Sequence, residues 1–234
     1  MDKKLKIVIV IVLLLALAYA IFYLTDYSEA ESTAKSLLNG TENVSVVKED
    51  YGLFVNGMGN DTLMIFYPGA KVEYTSYLPL LVELADGGID VALVEMPLNI
   101  AFFGKDAAGS IMNSTNYSNY ILAGHSLGGF TAAEFQNNSA KGDAVILLAA
   151  YPKNKVNVPV LSIYGSNDGV LNGKAYNESK TLMSNLTEII IPGGNHEQFA
   201  YYGSQTGDGI ANITPENQQN KTANEILKFT DDLF

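Results

Sequence analysis

The residues of this chain best suited to covalent chemistry lie in Gly124-His125-Ser126-Leu127-Gly128, a G-x-S-x-G pattern. The pattern matters where a strand turns sharply into a helix. The turn thrusts the serine hydroxyl above the sheet, and small flanking residues let the two segments approach. Here "NYILAG" reads as the strand, "LGGFTAAEF" as the helix, and Gly124 and Gly128 as the small flanks. The helix N-terminus beneath Ser126 favours developing negative charge. A serine hydroxyl is a weak nucleophile near neutral pH and needs a base. The chain has two histidines. His125 directly precedes the nucleophile, so its side chain should point away from Ser126, toward the sheet, as a packing or hydrogen-bonded group. That leaves His196 as the base, in the glycine-bearing loop "IIIPGGNHEQF".

A histidine base needs an orienting carboxylate. "VLSIYGSNDGV" ends a strand and places Asp168 on the loop beyond it, as the orienting acid, with a turn-former in "SNDG" as the alternative. Asp143 precedes its strand, at the wrong end of the sheet, and Glu197 is too near His196 in sequence to reach its ring. The developing oxyanion needs two donors. One is the Leu127 backbone N–H. The other comes from "IFYPGAKVEYTSY", where Gly69 permits the turn and Ala70 is the candidate, with Lys71 as the fallback. The absence of cysteine excludes a thiol nucleophile, a thiolate metal site and disulfides. His196-Glu197 has no second histidine at H-E-x-x-H spacing, so no metal is expected, and the chemistry calls for no cofactor. Ser32-Thr33-Ala34-Lys35 fits S-x-x-K, but no S-D-N or K-T-G partner follows.

The elements that must position these groups can be read from hydropathy. Strand-length apolar runs occur at 52–55, 62–67, 91–94, 120–123, 144–148, 158–164 and 188–191. Helix-length stretches occur at 74–85, 105–112, 127–136, 173–184 and 222–233, and "SEAESTAKSLLNG" reads as a short helix stopped by Gly40. The later strands are continuously apolar, which suits a parallel sheet covered on both faces. The fold class expected is therefore α/β, a mostly parallel, doubly wound sheet. Only Tyr151–Val158 follows "AVILLAA" before the next strand, too little for a cap domain, so the site should be open.

Residues 1–25 read as a membrane anchor, 26–50 as a juxtamembrane helix and connector, and 51–234 as one catalytic domain. Lys3, Lys4 and Lys6 precede an uncharged run from Ile7 to Leu24, long enough to span a bilayer. The alternative is a cleaved signal ending at the A-x-A site Ala18-Tyr19-Ala20. Lysines before the span and Asp26, Glu29 and Glu31 after it place the N-terminus in the cytoplasm and the domain outside. The net charge of −11 argues against nucleic acid as a partner. N-x-[S/T] signals begin at Asn39, Asn43, Asn60, Asn113, Asn116, Asn137, Asn177, Asn185, Asn212 and Asn220. With 21 asparagines and 28 serines and threonines in 234 residues, independent placement gives about 2.5. The surplus suits a glycosylated, extracytoplasmic domain.

Taken in order, "FYPGAKV", "VEMPLNIAFFG", "GHSLGG", "YGSNDGV" and "GGNHEQFAYYGSQTGDG" resemble the small single-domain α/β-hydrolases related to dienelactone hydrolases and carboxylesterases. The resemblance runs from Gly52 to the C-terminus, and the order Ser126, Asp168, His196 is the order of that fold. It implies nucleophile, acid and base in those positions, and a stretch from Phe199 to Gly209 packed beside the site. Dienelactone hydrolases use cysteine; serine here favours ordinary ester hydrolysis. The expected activity is carboxylesterase, on a small ester or on an acyl group of a cell-surface polymer. An acyltransferase or peptidase on the same fold, and a non-catalytic surface-binding domain, are the alternatives.

Overall fold

The computed structural model describes residues 2–57 and 59–234. Eight strands form one sheet in the order β1-β2-β4-β3-β5-β6-β7-β8. They are β1 (Ser45–Glu49), β2 (Gly52–Asn56), β3 (Thr62–Tyr67), β4 (Ile89–Val94), β5 (Asn119–His125), β6 (Ala144–Leu148), β7 (Val160–Gly165) and β8 (Leu186–Ile191). β1 and β2 pair antiparallel, β2 meets β4 antiparallel, and every pairing from β4 through β8 is parallel. The helices are α1 (Lys3–Thr25), α2 (Ser32–Lys35), α3 (Leu78–Asp86), α4 (Ala107–Ser114), α5 (Leu127–Ser139), α6 (Gly173–Ser179) and α7 (Pro215–Asp231).

β3 and β4 are buried at every position. Strand side chains alternate between faces, so each central strand feeds two cores. Met64, Phe66, Ile121 and Ile146 pack with Leu81 of α3 and Ile226 of α7. Leu63, Ile65, Leu122 and Val145 pack with Ile111 of α4 and Ala132 of α5. The chain passes from β3 to β4 on one side, then returns across β3 to β5 on the other. Loops leaving β3 and β5 therefore diverge, and a crevice opens above the strand C-termini. No domain interrupts the short stretch between β6 and β7.

Local differences from the sequence reading have physical causes. β1 was not anticipated: its residues are mostly exposed and carry no apolar run, and only pairing with β2 makes them a strand. α7 begins at Pro215 rather than 222, capped by Thr214, whose side chain accepts from the Asn217 N–H. Its first turns are polar, yet Gln218 and Gln219 are buried. The helices read at 74–85 and 173–184 are α-helical only over Leu78–Asp86 and Gly173–Ser179, each joined to a 3₁₀ turn. The segment 26–50, read as a juxtamembrane helix and connector, holds the short helix α2. It supplies β1, buries Ala30 and Ala34, and forms an isolated parallel bridge from Ser28 to Val72.

Candidate active site

β5 runs into α5 through a single residue, Ser126, at φ 54° and ψ −121°. A non-glycine residue there is strained by about 1–3 kcal/mol and must be held by its surroundings. The Ser126 N–H donates to the Leu148 carbonyl at 2.9 Å, and the Ser126 carbonyl accepts from Phe130 N–H at 3.2 Å. A Cβ on Gly128 would overlap the Tyr67 and Pro68 carbonyl oxygens, and one on Gly124 would overlap the Gly128 backbone. These two glycines bring α5 down onto the ends of β3 and β5.

His196 follows β8 and is 2% exposed. Its Nδ1 lies 2.9 Å from Asp168 Oδ2, and both side chains are buried. The other oxygen, Asp168 Oδ1, accepts from the N–H groups of Val170 and Leu171 at 2.9 and 2.8 Å. Asp168 is thus a turn-former and the partner of the imidazole at once, one oxygen for each. Ser126 shares with His196 the wall of an open cavity of about 580 Å³, alongside Phe130, Tyr151, Leu171 and Leu182. The serine meets the histidine through this cavity rather than through a hydrogen bond, as ligand-free sites commonly show.

His125 is buried and turned away from the cavity wall. Its Nδ1 lies 2.8 Å from the Tyr77 hydroxyl, which in turn accepts from the Gly69 N–H at 2.9 Å. The Tyr77 hydroxyl and Nδ1 share a hydrogen bond whose donor is set by the imidazole tautomer. Burial first, and then the neighbouring His196, hold the His125 pKa well below the ordinary histidine range, with the His196 backbone acting weakly the other way. The two imidazole rings lie 4.5 Å apart, and Phe199 packs against His125 at 5.6 Å.

The Lys71 N–H is engaged by the Asn99 carbonyl at 2.7 Å, so the fallback oxyanion donor is occupied. The Ala70 and Leu127 N–H groups make no hydrogen bond among the described residues, and Leu127 opens α5. Several supporting residues had escaped the sequence reading. Gln218 of α7 accepts from Asn195 N–H at 3.0 Å and donates to Asn195 C=O at 2.8 Å, clamping the residue before His196. Asp208 accepts from the N–H groups of Gly169 and Glu197, both at 2.9 Å, tying the 199–209 stretch to the acid and base loops. A polar pair on the inward face of a helix was the available signal for Gln218; nothing local marked Tyr77 or Asp208. Among the described residues no cluster of three metal-ligating side chains occurs.

Nine of the ten sequon asparagines are exposed. Asn60 differs: its amide nitrogen donates to Ala85 O at 3.1 Å and to buried Asp90 at 2.7 Å, so the atom a glycan would occupy is held inside the fold.

A mostly parallel sheet with the serine turn after β5 and a histidine loop after β8 defines the α/β-hydrolase class. The alpha/beta hydrolase family model matches residues 63–220, and the chain belongs to that family. Among solved structures it is similar to carboxyl esterase 2 of Tuber melanosporum, with 10% identity and a TM-score of 0.62, covering 89% of this chain and 92% of that one. It is similar to TT1662 of Thermus thermophilus at 14% identity and TM-score 0.61, covering 81% and 98%. Est1E of Butyrivibrio proteoclasticus, solved with ferulic acid bound, matches at 12% and 0.61, covering 81% and 96%. At these identities the likeness concerns the fold. No curated protein matches the sequence.

Proposed function

We propose that this chain is a serine carboxylesterase, held at the membrane by α1 with its catalytic domain outside the cell. The observation that carries the reading is the buried Asp168–His196 pair at 2.9 Å, sharing a cavity with a serine on a strained strand-to-helix turn. Ser126 Oγ attacks the ester carbonyl while its proton passes to His196 Nε2. Asp168 holds Nδ1–H and stabilises the imidazolium that forms. The negative charge on the former carbonyl oxygen is met by Leu127 and Ala70 N–H. Collapse breaks the bond to the alcohol, which leaves with the proton from Nε2. Water then attacks the acyl-enzyme by the same route, freeing acid and serine. The open cavity admits bulk water, so the acyl-enzyme is exposed to hydrolysis.

The names of the similar structures, a carboxyl esterase and Est1E with ferulic acid bound, support ester chemistry. The anchor reading is supported by α1, whose Lys3–Tyr23 stretch is long and apolar enough to cross a membrane and is unburied, as a signal sequence also would be. Location outside is supported by the lysines before the span and by nine exposed sequons. A fluorophosphonate probe should label the purified protein and fail on Ser126→Ala. Equal lack of labelling in both proteins would remove the nucleophile and the reading with it.

A further inference from the structure

The segment leaving α1 is fastened to the loops of the candidate site. The Ser28 N–H donates to Lys71 O at 2.8 Å, and the Glu73 N–H donates back to Ser28 O at 2.9 Å. Ala30 N–H donates to Glu73 Oε2 at 2.8 Å. Lys71 Nζ sits 3.4 Å from Asp26 Oδ2 and 3.8 Å above the ring of Tyr23, within α1 itself. Lys71 directly follows Ala70. On the other side, Glu31 N–H donates to Tyr201 O at 2.8 Å, in the stretch after His196. The exit from the helix is therefore threaded between the loop offering Ala70 and the loop following His196.

This fixes a height. The 23 residues of α1 are about 34 Å long, against a hydrocarbon thickness of about 30 Å. Ser28 lies three residue steps beyond Thr25, a reach of at most about 11 Å. The loop after β3 must then lie in or against the headgroup layer, itself about 5–8 Å deep. The same edge of the sheet carries apolar side chains that gain nothing in water. Ile210 is 88% exposed while its carbonyl is pinned by Asn167 Nδ2 at 2.8 Å, and Leu98, 47% exposed, adjoins the Asn99 that holds Lys71. The cavity wall continues this apolar character through Leu127, Phe130, Leu171 and Leu182. The chain as a whole carries a net charge of −11 even with the three lysines before the span, so the domain has no electrostatic pull toward an anionic surface, and the tether and these side chains must set its pose.

We propose that the site works in the interfacial layer, on lipophilic esters dissolved in the bilayer, which enter the cavity from the membrane side. This rests on the anchored-hydrolase reading above. The test uses full-length protein reconstituted in vesicles of ether-linked phosphatidylcholine, which contain no carboxylic ester of their own. p-Nitrophenyl palmitate is doped into the bilayer, and p-nitrophenyl butyrate is supplied in the water. In a second protein, about 20 Gly/Ser residues are inserted between Thr25 and Asp26, a spacer of about 25 Å that keeps the Ser28 bridge but frees the domain from the surface. The insertion should lower palmitate hydrolysis at least tenfold and leave butyrate hydrolysis within twofold. Leu98→Ser with Ile210→Ser should lower palmitate hydrolysis severalfold, again sparing butyrate. Palmitate hydrolysis indifferent to both changes, or absent while butyrate is cleaved, overturns the interfacial proposal alone. Failure of the unaltered protein on both esters overturns the hydrolase reading beneath it.

Discussion

Replacing Asp168 by asparagine isolates one proton. In the wild-type geometry Oδ1 accepts from Val170 and Leu171 N–H, while Oδ2 faces His196 Nδ1. An asparagine in the same place has one oxygen. The two backbone donors need an acceptor, so the amide oxygen takes the Oδ1 position and the NH₂ is turned toward the imidazole. A donor facing Nδ1 requires Nδ1 to be unprotonated, which moves the ring proton to Nε2, the atom that must receive the Ser126 proton. The base is then present, correctly placed and in the wrong tautomer. The expected loss is about 10⁴ in kcat with little change in KM. Stability should fall by only about 1 kcal/mol, because a charge-assisted hydrogen bond becomes a neutral one. Asp168→Ala should lose comparable activity and more stability, since the Leu171 N–H and His196 Nδ1–H are both stranded. Stopped hydrolysis of a p-nitrophenyl ester gives kcat, and urea unfolding gives the stability. Asp168→Asn retaining activity within tenfold of wild type would show that this carboxylate does not set the tautomer.

Gln218→Leu removes both hydrogen bonds from the Gln218 side chain to the Asn195 backbone, and stranding buried backbone groups costs about 1–3 kcal/mol each; thermal unfolding should show the loss, with kcat falling more than KM rises because the His196 loop is loosened. His125 supplies a pH dependence: its folded pKa lies well below the ordinary value, so below about pH 6.5 the unfolded chain binds a proton that the folded chain refuses. Stability therefore falls with decreasing pH by up to about 1.4 kcal/mol per unit, and urea midpoints of His125→Gln should show a shallower decline between pH 6.5 and 5. Glycopeptide mass analysis of protein from the native host should find glycan at exposed sequons such as Asn113 and none at Asn60, whose amide nitrogen is bonded to Asp90; a modified Asn60 would contradict the inward geometry.

Local rules made much of this protein legible from its sequence. A parallel strand buried on both faces has to be continuously apolar, so β5 to β7 announced themselves, and the glycines around Ser126 follow from the tightness of a strand-to-helix turn. Having two histidines, one on each side of that logic, narrowed the base to His196. The tertiary structure alone decided what depends on partners distant in the chain. β1 is a strand because β2 lies beside it, not because of its own residues. Gln218, 22 positions beyond His196, holds the residue before it, and Tyr77 reaches His125 across 48 positions. In sequence Asp168 reads as an acid or as a turn-former, and only the folded geometry shows one oxygen on the Val170 and Leu171 N–H groups and the other facing His196 Nδ1. The segment after α1 reads as a juxtamembrane helix and connector; its backbone pairing with Lys71 and Glu73 is invisible in composition. Hydrogen bonds of this kind need only an N–H and a carbonyl, which every residue but proline has, so the residue types carry no record of which loops they will join.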